Sequence, residues 1–197
     1  IMADSGWKTT GAVVSAGTWT NMTTTRINTA DDSRATAQGL SFRTATLNNY
    51  TFGIPSGATI NGIEVNTEFS TDSGTQTATL QISLSWDNGT SYTTAKSDTV
   101  TGSTTDKNST MGGSADTWGR SWTDTEFANG TFLVKVEGKS SQALNNCRLD
   151  FLQIKVYYTA SGGWANISKI NGVASSSVAK VNGVAVASIS KINGVAV

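Results

Sequence analysis

Two pairs of carboxylates are the residues of this chain whose types and spacing could support catalysis. Asp31 and Asp32 are adjacent, and Asp124 and Glu126 are separated by one residue. Such pairs can supply the acid and the nucleophile or base of glycoside hydrolysis. Both pairs lie in polar stretches typical of turns and helix caps, where acidic side chains bind backbone N–H groups. We therefore interpret them as structural residues and expect no catalytic residues.

The rest of the composition lacks the residues that most other enzyme mechanisms require. The chain has no histidine and a single cysteine, Cys147, so zinc sites and thiol catalysis lack the residues they need. The sequence contains no phosphate-binding or dinucleotide-binding motif. Acidic turns could hold calcium, but no D-x-D-x-D loop is present. The sequence thus predicts a non-enzymatic protein without cofactor or metal, and Cys147, within an apolar run, is expected to be buried.

Aromatic residues offer a different chemistry, the stacking of sugar rings. Trp118 and Trp122 are four residues apart on a glycine-containing segment, and with Tyr157 and Tyr158 they could form a platform for a glycan. Alternatively, these two tryptophans fill one end of a hydrophobic core, as Trp86 is expected to do at the end of an apolar strand face. The sequence leaves both interpretations open, and Trp118 and Trp122 are the glycan-contact candidates.

Charge and hydropathy argue against two classes of partner. Lysine and arginine together number 14, as do aspartate and glutamate. The basic residues are scattered and do not form the patch that nucleic acid requires. No apolar run approaches the roughly 18 residues of a membrane helix, and the first ten residues lack the pattern of a signal peptide. We expect neither nucleic acid nor a membrane as partner.

The elements that would position these residues are β-strands, because apolar and polar residues alternate with a period of two. Ile63, Val65 and Phe69 share one face of the first such run. The same pattern recurs at Leu80, Ile82, Leu84 and Trp86, and at Phe132, Val134 and Val136. Helical periodicity is nearly absent, apart from one short helix predicted in "TDTEFANG" with Thr123 or Asp124 as its cap. We predict an all-β, antiparallel sandwich or jelly roll, since exposed sheet faces must be covered by a second sheet.

Two local features refine the strand prediction. Asn88-Gly89 follows an apolar run and predicts a two-residue type I′ hairpin, in which both residues have positive φ. In "CRLDFLQIKVYYT" the alternation slips between Phe151 and Leu152, which predicts a β-bulge or burial on both faces of that strand.

A change in composition divides the chain. Residues 1–18 are predicted as an N-terminal arm or first strand, and residues 19–160 as the β-sandwich domain. Residues 161–166 form a Gly/Ser linker. Residues 167–197 consist of three copies of an eleven-residue repeat, [I/V]-x-K-[I/V]-N-G-V-A, headed by Ile167, Val178 and Ile189.

Each repeat is predicted to form one small hairpin with its Asn-Gly pair as the turn. The predicted pairs across the turns are Ile170 with Val173, Val181 with Val184 and Ile192 with Val195. Hairpins of this size are marginal on their own. The repeats are therefore expected to wrap identical chains into a trimer or higher oligomer or to dock into a partner, with folding back onto the body as the alternative. The predicted assembly residues are Ile167, Ile170, Val173, Val178, Val181, Val184, Ile189, Ile192 and Val195.

Three segments resemble, in this order, a β-sandwich module of tailed-phage and environmental viral structural proteins: "YTFGIPSGATINGIEV", "DTWGRSWTDTEF" and "LQIKVYYT". The terminal "KINGVAV" repeats are also similar to repeats of phage virion proteins. Together the similar segments span most of residues 19–197, whereas residues 1–18 match no part of the module.

The resemblance implies a virion structural protein: a head decoration, a fibre or a tail appendage on the virion surface, and thus extracellular. It implies no catalytic residues. It implies that Pro55 and Gly57 shape a turn before the strand at 60–69, and that Trp118 and Trp122 pack the sandwich. Partners would be further copies of this chain, other virion proteins or a cell-surface glycan. The alternatives are a carbohydrate-binding or receptor-binding module of an adhesin or tail protein, and a subunit of an extracellular filament.

Overall fold

The computed structural model describes residues 2–161 in full, together with the backbone of six two-residue strands between 169 and 196. The body consists of ten strands, one α-helical turn and one 3-10 turn. The strands are β1 (Met2–Asp4), β2 (Ala12–Ser15), β3 (Ala35–Gln38), β4 (Arg43–Asn48), β5 (Thr59–Thr71), β6 (Thr77–Ser85), β7 (Lys96–Thr101), β8 (Lys107–Gly113), β9 (Leu133–Ser140) and β10 (Asn146–Thr159). The helical turns are α1 (Thr24–Ile27) and the 3-10 turn Asp124–Phe127.

These strands form two antiparallel sheets. In one sheet the order is β1-β10-β5-β8, and β3 also pairs with β10. In the other sheet the order is β2-β4-β9-β6-β7. The chain is therefore an all-β, antiparallel sandwich of jelly-roll type followed by short hairpins, and the predicted fold class is confirmed.

The predicted alternation places the expected residues in the core between the sheets. Ile63, Val65 and Phe69 of β5 are completely buried. The same is true of Leu80, Ile82 and Leu84 in β6, and of Val134 and Val136 in β9. Trp86 was expected in the core, but it lies just beyond the end of β6 and is only partly buried against the core. Its position after the strand, and not within it, gives it a face toward solvent.

Residues 2–15 contribute edge strands to both sheets. Met2–Asp4 pair with the end of β10, and Ala12–Ser15 pair with β4. Residues 1–18 were predicted as either an N-terminal arm or a first strand, and the structure has two short strands there. Both segments thus pair with strands of the predicted sandwich domain, as the first-strand alternative predicts. The short apolar stretches of this region gave little periodicity from which sequence patterning could detect a strand.

The predicted irregularity in the longest strand is a β-bulge. The pairing of β10 with β5 shifts between Leu149 and Phe151, so Asp150 is the extra residue. The bulge lies slightly earlier than the predicted slip at Phe151 and Leu152. Because a bulge places two consecutive residues toward the same side, both Leu149 and Asp150 are buried.

The segment after β6 departs from the predicted two-residue hairpin. Asn88 and Gly89 do have positive φ values of 56° and 86°. However, the pairing of β6 with β7 ends at Ile82 with Lys96, so a wide loop replaces the tight turn. Asp87 organises this loop, because its carboxylate accepts hydrogen bonds from the Ser91 N–H at 2.7 Å and the Ser85 hydroxyl at 3.0 Å.

The predicted short helix is a 3-10 turn, Asp124–Phe127, preceded by Thr123. The Thr123 N–H donates to the Glu126 carboxylate at 2.7 Å, which is one half of a capping box. The α-helical turn Thr24–Ile27 was not predicted. It buries Ile27 completely, but a single turn is too short to produce a helical period in the sequence.

The six strands of the repeats form three separate antiparallel hairpins. Their backbone pairs are Ile170 with Val173, Val181 with Val184 and Ile192 with Val195, each flanked by a lysine paired with an alanine. This register confirms the predicted pairing. The side chains of the repeats lie outside the described residues, so their assembly role stays a prediction. Ile167, Val178, Ile189 and the linker after Ser161 also lie outside the described residues. Among the described residues, no helix has the length and apolar character needed to cross a membrane.

Candidate functional site

The two tryptophans predicted as glycan contacts are core residues. Trp118 is 4% exposed and Trp122 is 7% exposed. Neither indole offers an exposed stacking face, so the prediction that they form a sugar platform is corrected. The alternative interpretation, that they pack one end of the sandwich, is the one that the structure has.

Hydrogen bonds hold Trp118 in place. Its Nε1 donates to the Ile63 carbonyl at 2.9 Å, and its backbone N–H donates to the Asp116 carboxylate at 2.8 Å. Trp118 adopts a φ of 56°, which is uncommon for a large residue and needs support from its surroundings. The Pro55 and Gly57 turn implied by the resemblance is also present, with the Ala58 N–H bonded to the Pro55 carbonyl at 3.2 Å.

Trp122 belongs to an aromatic cluster that closes the same end of the core. Its ring centroid lies 5.3 Å from that of Phe127, 5.9 Å from that of Phe132 and 6.2 Å from that of Trp86. Its Nε1 donates to the Thr117 carbonyl at 2.7 Å. The apolar rings are thus packed while the one polar atom of the indole is satisfied.

A cleft opens beside this cluster, between the loop after β6 and the loop after β8. Its volume is about 450 Å³, within the range of small-molecule sites. We call it the Trp86 cleft. It is lined by Trp86, Tyr92, Thr93, Thr94, Ala95, Lys96, Trp118, Gly119 and Arg120. Trp118 was a predicted site residue, whereas Trp86 and Tyr92 were not predicted as surface residues, because the wide loop that presents them was predicted as a tight turn.

Arg120 is the main cation of the Trp86 cleft. Its guanidinium carbon lies 4.0 Å from the Trp86 ring centroid and 4.4 Å from that of Trp122. Two parallel hydrogen bonds of 2.8 and 3.2 Å fix it to the Glu126 carboxylate. Burial acts to raise the pKa of Glu126, but hydrogen bonds from Arg120 and from the Thr123 N–H outweigh burial and hold this pKa below its usual value.

A second ion pair borders the cleft. Lys96 Nζ lies 2.8 Å from the Asp116 carboxylate and 5.2 Å from the Trp118 ring centroid. Burial again acts to raise the pKa of Asp116, and the bonds from Lys96 and the Trp118 N–H lower it by more. Carboxylates with depressed pKa values stay ionised at neutral pH, so Asp116 and Glu126 are unsuited to donate a proton. The cleft offers aromatic rings, hydroxyl groups and cationic donors.

The carboxylate pairs considered as catalytic residues have structural roles. Asp31 accepts a hydrogen bond from the Ser33 N–H at 3.0 Å, and Asp124 accepts one from the Gly57 N–H at 3.0 Å. Glu126 caps the 3-10 turn and binds Arg120. These contacts match the predicted turn and cap roles. Asp32 differs, because it joins a cluster that the sequence did not reveal.

That cluster brings together Asp32, Asp106 and Asp150, which are far apart in the sequence. One carboxylate oxygen of each lies within 4.8 Å of the others. Arg34 forms ion pairs with Asp32 and Asp106. Burial raises the pKa of Asp150, and the hydrogen bond from the Asp32 N–H offsets only part of this rise. Sequence spacing could not predict this group because only the tertiary fold brings the two loop residues, Asp32 and Asp106, to Asp150 of β10.

A second aromatic surface lies on the outer face of the first sheet. Trp7 is 38% exposed, and Lys155 Nζ lies 4.4 Å from its ring centroid and 5.5 Å from that of Tyr157. Tyr157 donates its hydroxyl to Glu64, and this hydrogen bond, together with burial, raises the Tyr157 pKa to about 12. We call this surface the Trp7 face. It includes one tyrosine of the predicted platform but neither of the two predicted tryptophans.

No family model matches the chain, and no curated protein matches it. Among solved structures, the CBM22-1 xylan-binding domain from Paenibacillus barcinonensis Xyn10C is 14% identical, covering 79% of this chain and 92% of that chain with a TM-score of 0.40. TmCBM61 in complex with β-1,4-galactotriose is also 14% identical, covering 61% of this chain and 68% of that chain with a TM-score of 0.32. Identities and scores this low carry no functional argument for this chain.

Proposed function

We propose that the protein is a non-enzymatic binding module and that the Trp86 cleft takes a carbohydrate. The observation that carries this proposal is the pairing, in one cleft, of partly exposed rings with fixed polar donors. Trp86 and Tyr92 supply the rings, and Arg120 supplies N–H groups on a side chain immobilised by Glu126. A sugar presents an apolar C–H face and a rim of hydroxyl groups, and both find partners here.

The fixed position of Arg120 matters for recognition. A guanidinium has more N–H donors than the two that bind Glu126, and the others can donate to sugar hydroxyls without a large loss of side-chain entropy. Thr94 is exposed at the rim of the cleft and adds a hydroxyl that can donate or accept. The cleft therefore suits a neutral or anionic glycan.

Glycan-array binding followed by isothermal titration calorimetry with the best glycan tests this proposal. Trp86→Ala should weaken binding by roughly two- to tenfold, because stacking on an aromatic ring contributes about 0.5 to 1.5 kcal/mol beyond the apolar area that it buries, and 1.4 kcal/mol corresponds to tenfold. Trp7→Ala is the matched control, since it removes an exposed tryptophan outside the cleft. Loss of binding in Trp7→Ala with full binding in Trp86→Ala would place the site on the Trp7 face. Absence of any glycan ligand would reject the proposal.

A second candidate function is assembly into a particle surface, as a virion structural protein or a filament subunit. The observation that favours it is the equal register of the three terminal hairpins, each with strands of only two residues. Such hairpins need partners to be stable, and copies of this chain or other virion proteins could provide them. The virion itself is proposed from the resemblance of the sequence segments. The mass of the full-length chain in solution tests the assembly role.

A further inference from the structure

We propose that Asp32, Asp106 and Asp150 form a calcium site that fastens three separate segments of the sandwich to one another. Asp32 lies in the loop before β3, Asp106 directly precedes β8, and Asp150 is the extra residue of the β10 bulge. This site is independent of the carbohydrate proposal, because none of its residues lines the Trp86 cleft.

The spacing of the three carboxylates fits a single ion. Calcium binds oxygen at about 2.3 to 2.6 Å, so two ligands of one ion are at most about 5 Å apart. One oxygen from each of the three side chains lies within 4.8 Å of the others. The side chain of Asp32 is 79% exposed, which gives an ion a path from solvent.

A second observation, independent of the spacing, is the environment of the Asp150 carboxylate. This residue is only 2% exposed, and its Oδ1 is buried without a hydrogen-bond partner. Its Oδ2 accepts a hydrogen bond from the Asp32 N–H at 3.2 Å. A buried carboxylate oxygen without a donor is strongly unfavourable. A cation bound to the cluster would satisfy this oxygen.

The cluster has an excess of negative charge, which favours binding of a divalent cation. Arg34 donates from Nε to Asp106 at 3.1 Å and from Nη2 to the same carboxylate at 2.6 Å, and it also pairs with Asp32. One guanidinium against three carboxylates leaves two negative charges. Arg148 also interacts electrostatically with Asp32 and Asp106, which reduces the excess to one negative charge. Its Nη2 donates to two neutral groups, the Ser70 hydroxyl at 3.1 Å and the Thr104 carbonyl at 2.8 Å, and not to a carboxylate of the cluster.

The ligand chemistry selects calcium among common divalent ions. The cluster offers carboxylate oxygens and neither imidazole nor thiolate, which disfavours zinc and other softer metals. Magnesium requires near-ideal octahedral geometry at about 2.0 to 2.1 Å and keeps most of its water. Calcium tolerates an irregular set of oxygens drawn from loops and a bulge, so it is the ion that we assign.

Calorimetric titration of the full chain with calcium chloride, after removal of metals by chelator, tests the assignment. We expect saturable binding of one ion, and a melting temperature that rises by roughly 5 to 10 °C at a hundredfold excess over Kd. Asp150→Asn should abolish binding. Because it removes an uncompensated buried charge, this variant should be at least as stable as the wild type in chelator, so loss of binding will not reflect unfolding. Asp32→Asn, on the exposed side of the site, should weaken binding.

Asp4→Asn is the matched control, because it changes an acidic residue paired with the opposite end of β10. It should keep full calcium binding. The assignment is overturned if the wild type gives neither heat nor a shift in melting temperature, if Asp150→Asn binds calcium as well as the wild type, or if magnesium alone produces the response.

Discussion

The Arg120 guanidinium lies 4.0 Å from the centroid of the Trp86 ring while both of its Nη atoms bind Glu126. This arrangement joins the aromatic end of the core to the 3-10 turn. It also fixes a cation inside the Trp86 cleft, so the stability of the fold and the chemistry of the cleft depend on the same side chain.

Arg120→Ala should lower the free energy of unfolding by about 1.5 to 3 kcal/mol, because it removes two charge-assisted hydrogen bonds and leaves Glu126 partly buried without them. Urea denaturation measures this change. Arg120→Lys is the control, since it keeps the charge but not the planar pair of bonds, and it should fall between the other two proteins. Equal stability of all three would show that the ion pair adds nothing.

Glu126 should make stability depend on pH. Because its pKa is lower in the folded protein than in the unfolded chain, it stabilises the fold fully above the unfolded value of about 4.3. That contribution should be lost as the pH falls from this value through the lower folded pKa. The measurement is the urea midpoint against pH for the wild type and Glu126→Gln. The difference between them should shrink in acid, and a constant difference would contradict this account.

Gly112→Ala should destabilise the fold by about 2 to 4 kcal/mol. Gly112 has a φ of 82°, and an added Cβ would lie 2.2 Å from the Ile63 carbonyl oxygen and 2.7 Å from Trp118 Nε1. The substitution would therefore disrupt the hydrogen bond that holds Trp118. Gly113→Ala is the matched control, because a Cβ there meets no atom within 4 Å. Thermal melting of the two variants distinguishes them, and similar losses in both would refute the steric explanation.

Cys147 should be unreactive in the folded protein. It is completely buried, and burial raises its pKa to about 12, whereas the reactive species is the thiolate. A chromogenic disulfide reagent should label the wild type only after a denaturant unfolds it. Rapid labelling of the native protein would mean that β10 opens far more readily than its central position suggests.

Truncation after Gly163 should leave a folded sandwich, because the last strand of the body ends at Thr159. If the hairpins mediate assembly, light scattering should find an oligomer for the full-length chain and a monomer for the truncated one. Two monomers would reject self-assembly. An unfolded truncated protein would mean that the repeats contribute to the core.

The all-β class could be predicted from the sequence because strand alternation is a local property. Ile63, Val65 and Phe69 alternate with polar neighbours, and their side chains must therefore share one face of an extended strand. The cap at Thr123 and the pairing across each Asn-Gly turn are local for the same reason. Burial of Cys147 followed from its apolar neighbours.

The candidate sites could not be predicted in this way, because their residues meet through long-range pairing. Asp32, Asp106 and Asp150 come together only after β3, β5, β8 and β10 align, and the bulge decides that Asp150 is turned inward. Tertiary structure also determines which tryptophans are exposed to solvent. Loops bury Trp118 and Trp122, while Trp86 and Trp7 remain accessible. A sequence specifies which residues can stack or bind an ion, but the sheet register and the loop paths decide which of them water can reach.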